Sequence, residues 1–358
     1  MTRTEVMRAL SVVVDPKRGR DIARLGQVQD LEVHGKEVSF TVRVEDPRTP
    51  FARQVKELCS RAIRSAFGED VTVQVKIKGA ATAPPSPARL GVQHMIAVAS
   101  GKGGVGKSTV AANLAVALAQ EGYKTGLVDA DIYGPSVPTM FGVEQEKPRV
   151  NKQRKIIPLE KYGVKLLSIG LLVDAAQAVI WRGPMVSSAV KQFLSDAEWG
   201  DLDYLVLDLP PGTGDIQLTI VQTVSLTGAV IVSTPQRVAL ADAHKGVSMF
   251  RNVNVPVLGM IENMAYFTPP DMPDRRYYLF GQGGARRLAE NLGVPLLGEI
   301  PLEQCVRESG DEGTPIVVAA PDSRSARAFR ATAADIAAFL ERRGQEESKA
   351  PPIEIVYK

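Results

Sequence analysis

Short, nearly unbroken apolar runs recur along most of the chain, separated by stretches of helical periodicity. They are MIAVAS (95–100), TGLVDAD (125–131), VKLLSIG (164–170), YLVLDLP (204–210), AVIVSTP (229–235), PVLGMIEN (256–263) and PLLGEIP (295–301). Strands that are apolar on both faces and alternate with helices predict a mostly parallel sheet covered on both sides, a doubly wound α/β domain over residues 94–345. The opening residues follow another pattern. After a helical start, VSFTVRV (38–44) and VTVQVKI (71–77) alternate apolar and polar positions around a helix from about Phe51 to Phe67. That predicts a small α+β domain over residues 1–79. Between the two, residues 80–93 begin AATAPPSPARLG, whose three prolines and four alanines suit a semi-rigid linker. Residues 346–358 are polar and then strand-like, and read as a C-terminal tail, either free or paired with a sheet edge.

Composition narrows the class of protein. Of 358 residues, 44% are hydrophobic and 23% charged, which predicts a chain folded throughout. Forty-three Lys and Arg stand against 40 Asp and Glu, a formal charge of +3, so charge gives no case for a nucleic-acid or membrane partner. The start, MTRTEVMRAL, has no apolar run of signal-peptide length, and the two cysteines, Cys59 and Cys305, are far apart. The expectation is a cytoplasmic protein without structural disulfides. The longest uncharged run, Ile216 to Gln236, carries three Gln, four Thr and two Ser and includes Pro235; it reads as a helix, a turn and a buried strand rather than a bilayer span.

Residues 101–108, GKGGVGKS, match G-x-x-x-x-G-K-[ST] between the strand MIAVAS and a helix whose apolar face includes Val110, Leu114 and Leu118. Gly101, Gly103, Gly104, Val105 and Gly106 would turn backbone N–H groups toward phosphate oxygens. Lys107 reaches the outer phosphates, and Ser108 and Thr109 complete the cradle. Ser108 also offers a hydroxyl to magnesium, with Asp208, at the end of YLVLD, as its carboxylate partner. The following LPPGTGD holds Pro211, Gly212 and Gly214 and reads as a switch loop responsive to the terminal phosphate. Asp129 and Asp131 end the second apolar strand; on an extended strand they share one face at the edge where ligands bind. Asp131, lying further toward the site, is the candidate to orient or deprotonate water, with Asp129 holding a magnesium-bound water or acting only as a capping group.

The set GKGGVGKST, VDADIYGPS, DLPPGTGD and STPQ resembles the deviant-Walker ATPases that include MinD, ParA and the nitrogenase iron protein. VDADIYGPSVP, WRGPM, IENMAYF, EIPLE and GDEGTPIV narrow the resemblance to the Mrp/ApbC iron–sulfur cluster carriers, and VVDPKRGRDIARLGQV resembles the PaaD-like domain often fused ahead of them. The resemblance implies a homodimer with ATP at its interface, in which Lys102 reaches the partner's phosphates; without it, Lys102 is a solvated loop cation. It also implies Asn263 as an adenine reader, with the backbone at Pro301 lining the same pocket. Iron–sulfur assembly or client proteins are the implied partners, and ATP, Mg2+ and a carried cluster the implied ligands.

One family feature is missing. Where most carriers place a C-P-x-C pair after ENMSYF, this chain has Pro269 and Met272, and Thr49 stands where many relatives carry an N-terminal-domain cysteine. Neither Pro269 nor Met272 supplies a thiolate, so any cluster ligands in this chain are unknown. Cys59 sits on the apolar face of its helix and reads as core; Cys305 lies near the nucleotide side. The loop residues Asp271, Asp274, Arg275, Arg276, Tyr277 and Tyr278 are either a client-docking surface or a solvated hairpin. His34, His94 and His244 have no ligand spacing, and Trp181 reads as a packing residue. The expected function is a magnesium-dependent ATP-hydrolysing dimeric switch in iron–sulfur cluster delivery. The alternatives are a ParA- or MinD-like positioning ATPase and an ATP-gated adaptor that holds no cluster itself.

Overall fold

The computed structural model describes residues 1–15, 19–44, 50–68, 70–79, 91–132, 134–172 and 183–349. Thr49, Trp181, most of the 80–93 stretch and residues 350–358 lie outside the described residues, as does the side chain of His34. The chain divides into two units, Met1–Ala83 and Pro84–Lys358.

In the first unit α1 (Arg3–Leu10) is followed by β1 (Val14–Asp15), β2 (Arg20–Asp21), β3 (Val28–His34), β4 (Glu37–Val44), α2 (Pro50–Phe67) and β5 (Thr72–Gly79). A capping box starts α1, with Thr2 and Glu5 each accepting the other's backbone N–H. Strand β4 pairs antiparallel with β3 and parallel with β5, and α2 makes the crossover. Val38, Phe40 and Val42 of β4 meet Val55, Cys59 and Ile63 of α2 in a core of their own. The alternating patterns around 38–44 and 71–77 thus do what they predict. Strand β3 escapes that pattern because VQDLEVH interleaves charge with only partly buried valines.

The second unit runs β6 (Val92–Ala99), α3 (Lys107–Gln120), β7 (Thr125–Asp129), α4 (Val137–Met140), β8 (Arg149–Val150), β9 (Ile156–Ile157), β10 (Leu159–Lys161), β11 (Val164–Ser168) and α5 (Ile169–Leu172). It continues with α6 (Gly183–Ser195), β12 (Leu202–Asp208), α7 (Asp215–Thr223), β13 (Gly228–Ser233), α8 (Arg237–Asn252), β14 (Val257–Phe267), α9 (Gly284–Leu292), β15 (Leu296–Leu302), α10 (Gln304–Asp311), α11 (Ile316–Ala319) and α12 (Arg324–Lys349). Eight strands form one sheet in the order β10-β11-β7-β12-β6-β13-β14-β15, parallel except for β10 at one edge. It is the doubly wound α/β sheet expected.

Successive side chains of central β6 feed opposite cores. Ile96 and Val98 pack with Val110 and Leu114 of α3 and Phe329 and Ile336 of α12. Met95, Ala97 and Ala99 pack with Val190 and Phe193 of α6 and Val247 and Phe250 of α8. Burial on both faces explains why these strands read as continuous apolar runs. The run from Ile216 becomes α7 and β13, and among the described residues no helix is long and apolar enough to cross a membrane.

Two expected boundaries move. Strand β6 begins at Val92, inside the expected linker, because the Leu202 N–H binds the Gly91 carbonyl and Leu202 pairs with Val92. Helix α12 continues to Lys349, past the expected start of the tail at 346, since RRGQEESK is built mostly of good helix formers. Phe329→Ala in α12 is expected to lower unfolding free energy by about 3–5 kcal/mol through the cavity it leaves between α12 and α3; a urea titration showing less than 1 kcal/mol would place this helix outside the cooperative core.

Candidate functional site

The site forms where β6, β7 and β12 end together. Their register sets Asp208 beside both Val98 and Asp129, at the carboxyl edge of the sheet. From Ala99 the chain enters the phosphate loop, where Gly104 and Gly106 adopt φ of 82° and 81°, a region that favours glycine. Gly106 is the residue before α3, so Lys107 opens the helix with free backbone N–H groups above it. Gly101 is required for another reason: a Cβ there would lie 2.2 Å from the carbonyl carbon of Asp242 in α8.

Lys107 is buried, and its ammonium donates to Asp208 Oδ1 at 2.5 Å and to the Ser108 hydroxyl at 3.1 Å, with Asp131 Oδ2 at 3.5 Å. Three residues singled out by sequence therefore converge on one cation. Burial pushes the Asp208 carboxyl above its ordinary range, while Lys107 opposes the shift. Asp129 is pushed up to about 7, first by burial and then by the charge of Asp208. The phosphate loop and switch loop are joined directly, since the Gly212 N–H donates to the Ser100 carbonyl at 2.9 Å. Gly212 itself has φ 102°, and Gly214 precedes α7.

Asp129 and Asp131 do not share an extended-strand face as expected. Strand β7 stops at Asp129, whose Oδ1 accepts the N–H of Asp131 at 3.1 Å while Oδ2 accepts the Ser168 hydroxyl at 2.9 Å and the Val137 N–H at 3.3 Å. Asp129 thus fastens the loop to β11 and α4, leaving Asp131 beside Lys107. Ser168 was not legible as a site residue, because its only signal is a hydroxyl ending an apolar strand.

Magnesium, which a phosphate loop implies, meets a fitting donor set. The Ser108 hydroxyl and the Asp208 carboxylate surround the same ammonium, and Asp208 Oδ2 is buried without a hydrogen-bond partner among the described residues. Lys102 differs from Lys107: it is only half-buried, no ion pair is formed by its ammonium among the described residues, and its carbonyl accepts from Ser100 Oγ at 2.9 Å.

Beside the phosphate loop lies a cavity of about 550 Å³, lined by Gly106, Thr109, Asn263 and Pro301 together with Met140 and Ile316. Asn263 donates from Nδ2 to the Val105 carbonyl at 2.9 Å, and its amide oxygen takes no hydrogen bond from the described residues. A free amide acceptor in a largely apolar chamber of this size suits a purine base. The walls from α4 and from α10 to α11 were not foreseen. Their backbones touch at Gly142 and Gly313, where a Cβ on Gly313 would lie 2.5 Å from Gly142 Cα, and Tyr162 donates to the Gly313 carbonyl at 2.9 Å.

Pro269 and Met272 sit in a closed hairpin: Phe267 and Tyr277 exchange backbone hydrogen bonds of 2.8 and 2.7 Å, and the Met272 N–H donates to the Pro269 carbonyl at 3.1 Å. Cys59 is buried in the first unit's core, with its thiol pushed up to about 12 by desolvation. Cys305 is half-buried against the second unit's core, and burial and then Glu303 raise its thiol as well. His94 stacks on Tyr204, and burial lowers its basicity. Among the described residues, no three His, Cys, Asp or Glu side chains are grouped to hold a metal ion.

Removing Lys107 leaves buried carboxylates without their cation. Their folded-state pKa values lie above the unfolded ones, so their contribution to stability is greatest below the ordinary carboxylate range and is lost as pH rises, for Asp129 through about 7 and for Asp208 in the same direction. Lys107→Met raises them further. Its urea midpoint is expected close to wild type at pH 5 and lower by the equivalent of about 3–5 kcal/mol at pH 8; a gap independent of pH would contradict this electrostatic account.

Residues 91–337 match the ParA family, described as NUBPL iron-transfer P-loop NTPase, and residues 3–75 match the iron-sulfur cluster assembly protein family. The iron-sulfur cluster carrier protein of Synechocystis sp. is 47% identical over 346 residues, 94% of this chain and 97% of its own. That of Escherichia coli is 46% identical over 301 residues, 82% and 80% of the two chains. Among solved structures, the nucleotide-binding protein of Archaeoglobus fulgidus in complex with ADP is similar at a TM-score of 0.58 and 40% identity, covering 67% of this chain and 93% of its own. The cell division ATPase MinD of Pyrococcus furiosus is similar at 0.53 and 26%, covering 69% and 99%.

Proposed function

The chain belongs to the family of NUBPL-type iron-transfer P-loop NTPases and iron-sulfur cluster carrier proteins, and from that membership we propose that it is a cytoplasmic, dimeric ATPase whose nucleotide state drives cluster delivery. The observation that carries this reading is the buried contact of Lys107 with Asp208 and Asp131, Lys107 following Gly106, which lines a chamber sized for a base. ATP enters with adenine against Asn263 and the Pro301 backbone, and its phosphates along the N–H groups of residues 101–109. Lys107 exchanges its carboxylate partners for phosphate oxygens. Magnesium, held by Ser108 and Asp208, supplies positive charge to the phosphates when bound. Asp131 orients the attacking water. Lys102 acts across the dimer on the partner's ATP, neutralising charge that builds up in the transition state. Release of phosphate reaches the switch loop through Asp208, Pro211 and the Gly212 to Ser100 hydrogen bond.

The cargo is a separate matter. Pro269 and Met272 hold the family's cysteine positions, and the remaining cysteines, Cys59 and Cys305, have raised thiol pKa values. These observations support an ATP-gated adaptor in which partner or client thiolates hold the cluster. A membrane-positioning role has less support: the apolar face of α12, with Ala326, Phe329, Ile336 and Leu340, is occupied by the core.

Lys102→Ala is expected to keep ATP affinity and lose at least tenfold in turnover, about 1.4 kcal/mol or more of transition-state stabilisation; unchanged turnover would sink the trans-acting role. Anaerobic reconstitution of the chain alone with iron and sulfide is expected to give no stoichiometric cluster. A cluster lost on Cys305→Ser would instead identify a ligand in this chain and overturn the adaptor reading.

A further inference from the structure

The nucleotide site leaves another cavity unused. It has a volume of about 420 Å³ and lies between the ends of β14 and β15, the start of α9 and the hairpin that closes at Tyr277. Glu262, buried in its wall, accepts the Ala285 N–H at 2.5 Å and also the Gly283 N–H, so the first turn of α9 answers its charge. Arg286 pairs with Glu299 at 3.0 Å. Two cations remain. The Arg276 guanidinium carbon lies 4.3 Å from the centre of the Tyr266 ring, and neither Arg276 nor Arg287 has a carboxylate partner among the described residues. A guanidinium held over a ring by cation–π attraction still has N–H donors to offer a carboxylate.

Tyr266 and Tyr278 make part of the cavity wall aromatic. Tyr278, which lines it edge-on to Tyr266 at 6.5 Å, is 38% exposed; on the hairpin and just beyond it, Met272 and Tyr277 are each 42% exposed and Leu279 is 60%. A free inorganic anion makes no use of the exposed Tyr278 beside the arginines, whereas a peptide with carboxylates next to an aliphatic or aromatic residue engages both features.

We propose that this pocket docks an acidic segment of a partner protein, its carboxylates held by Arg276 and Arg287 and an adjoining apolar side chain laid against Tyr278 and Leu279. No residue lines both this cavity and the base chamber, so the inference stands independently of the ATPase reading.

The test is fluorescence anisotropy of the full chain with a labelled octapeptide of alternating glutamate and leucine. A glutamine-for-glutamate version and inorganic phosphate serve as comparison ligands. Saturable binding of the glutamate peptide is expected, weakened about tenfold or more in Arg276→Ala/Arg287→Ala, with ADP binding unchanged as the check on folding. Both arginines are exposed, and Arg276→Gln/Arg287→Gln provides a second variant of similar polarity. Equal binding of the glutamine peptide, or of the glutamate peptide by both variants and wild type, overturns the proposal. So does a site that takes phosphate through the two arginines but not the peptide.

Discussion

Everything at the nucleotide edge depends on one buried ammonium shared among carboxylates. Lys107 is held at the first turn of α3, and the residues around it come from the ends of β7 and β12. Removing these charges from water is costly, and their mutual attraction compensates only while the geometry is tight. The parallel register supplies that geometry by setting Asp208 beside Asp129 and Val98, while Asp129 satisfies its oxygens on Ser168, Val137 and the Asp131 N–H. With more acid than base enclosed, Asp129 and Asp208 resist ionisation. Such a cluster stores a preference: an incoming polyanion competes for Lys107, and whatever it displaces must find another positive partner.

Sequence revealed the parts of this arrangement that have local causes. Gly104 and Gly106 announce a backbone conformation, Lys107 and Ser108 stand at fixed offsets from them, and doubly buried strands leave apolar runs no other element explains as well. Asp208 was legible because it ends one of those runs. The fate of Asp129 was not, since its acceptor role is decided by Ser168, thirty-nine residues away, and by where β7 stops. The walls of the base chamber were hidden for a related reason: α10 and α11 look like ordinary surface helices until β15 brings them against α4. The edges of elements shifted where tertiary pairing overrode local composition, as at Val92, or where helix formers outlasted the expected end, as at Lys349.

The hairpin after β14 is closed on itself and exposed at once. Its backbone is closed by paired hydrogen bonds between Phe267 and Tyr277, and it leaves Arg275, Arg276, Tyr277 and Tyr278 exposed. Strand β14 connects this hairpin to Asn263 in the cavity wall through three intervening positions, 264–266. Met264, with φ of 55°, stands between the two. A change in what fills the cavity at Asn263 therefore has a short covalent route to the hairpin, whatever the hairpin contacts.

The close approach of Gly142 and Gly313 bears on how such a chamber changes over evolutionary time. The turns meet backbone to backbone, with Tyr162 bonded to the Gly313 carbonyl. Gly313 cannot acquire a side chain unless Gly142 withdraws, whereas Gly142, whose Cβ would lie 3.4 Å from Gly313 Cα, is held to glycine by its φ of 57°. The dependence runs one way: a lineage that gains a side chain at position 313 must first move the turn at Gly142, while a change at 142 leaves the turn at 313 in place.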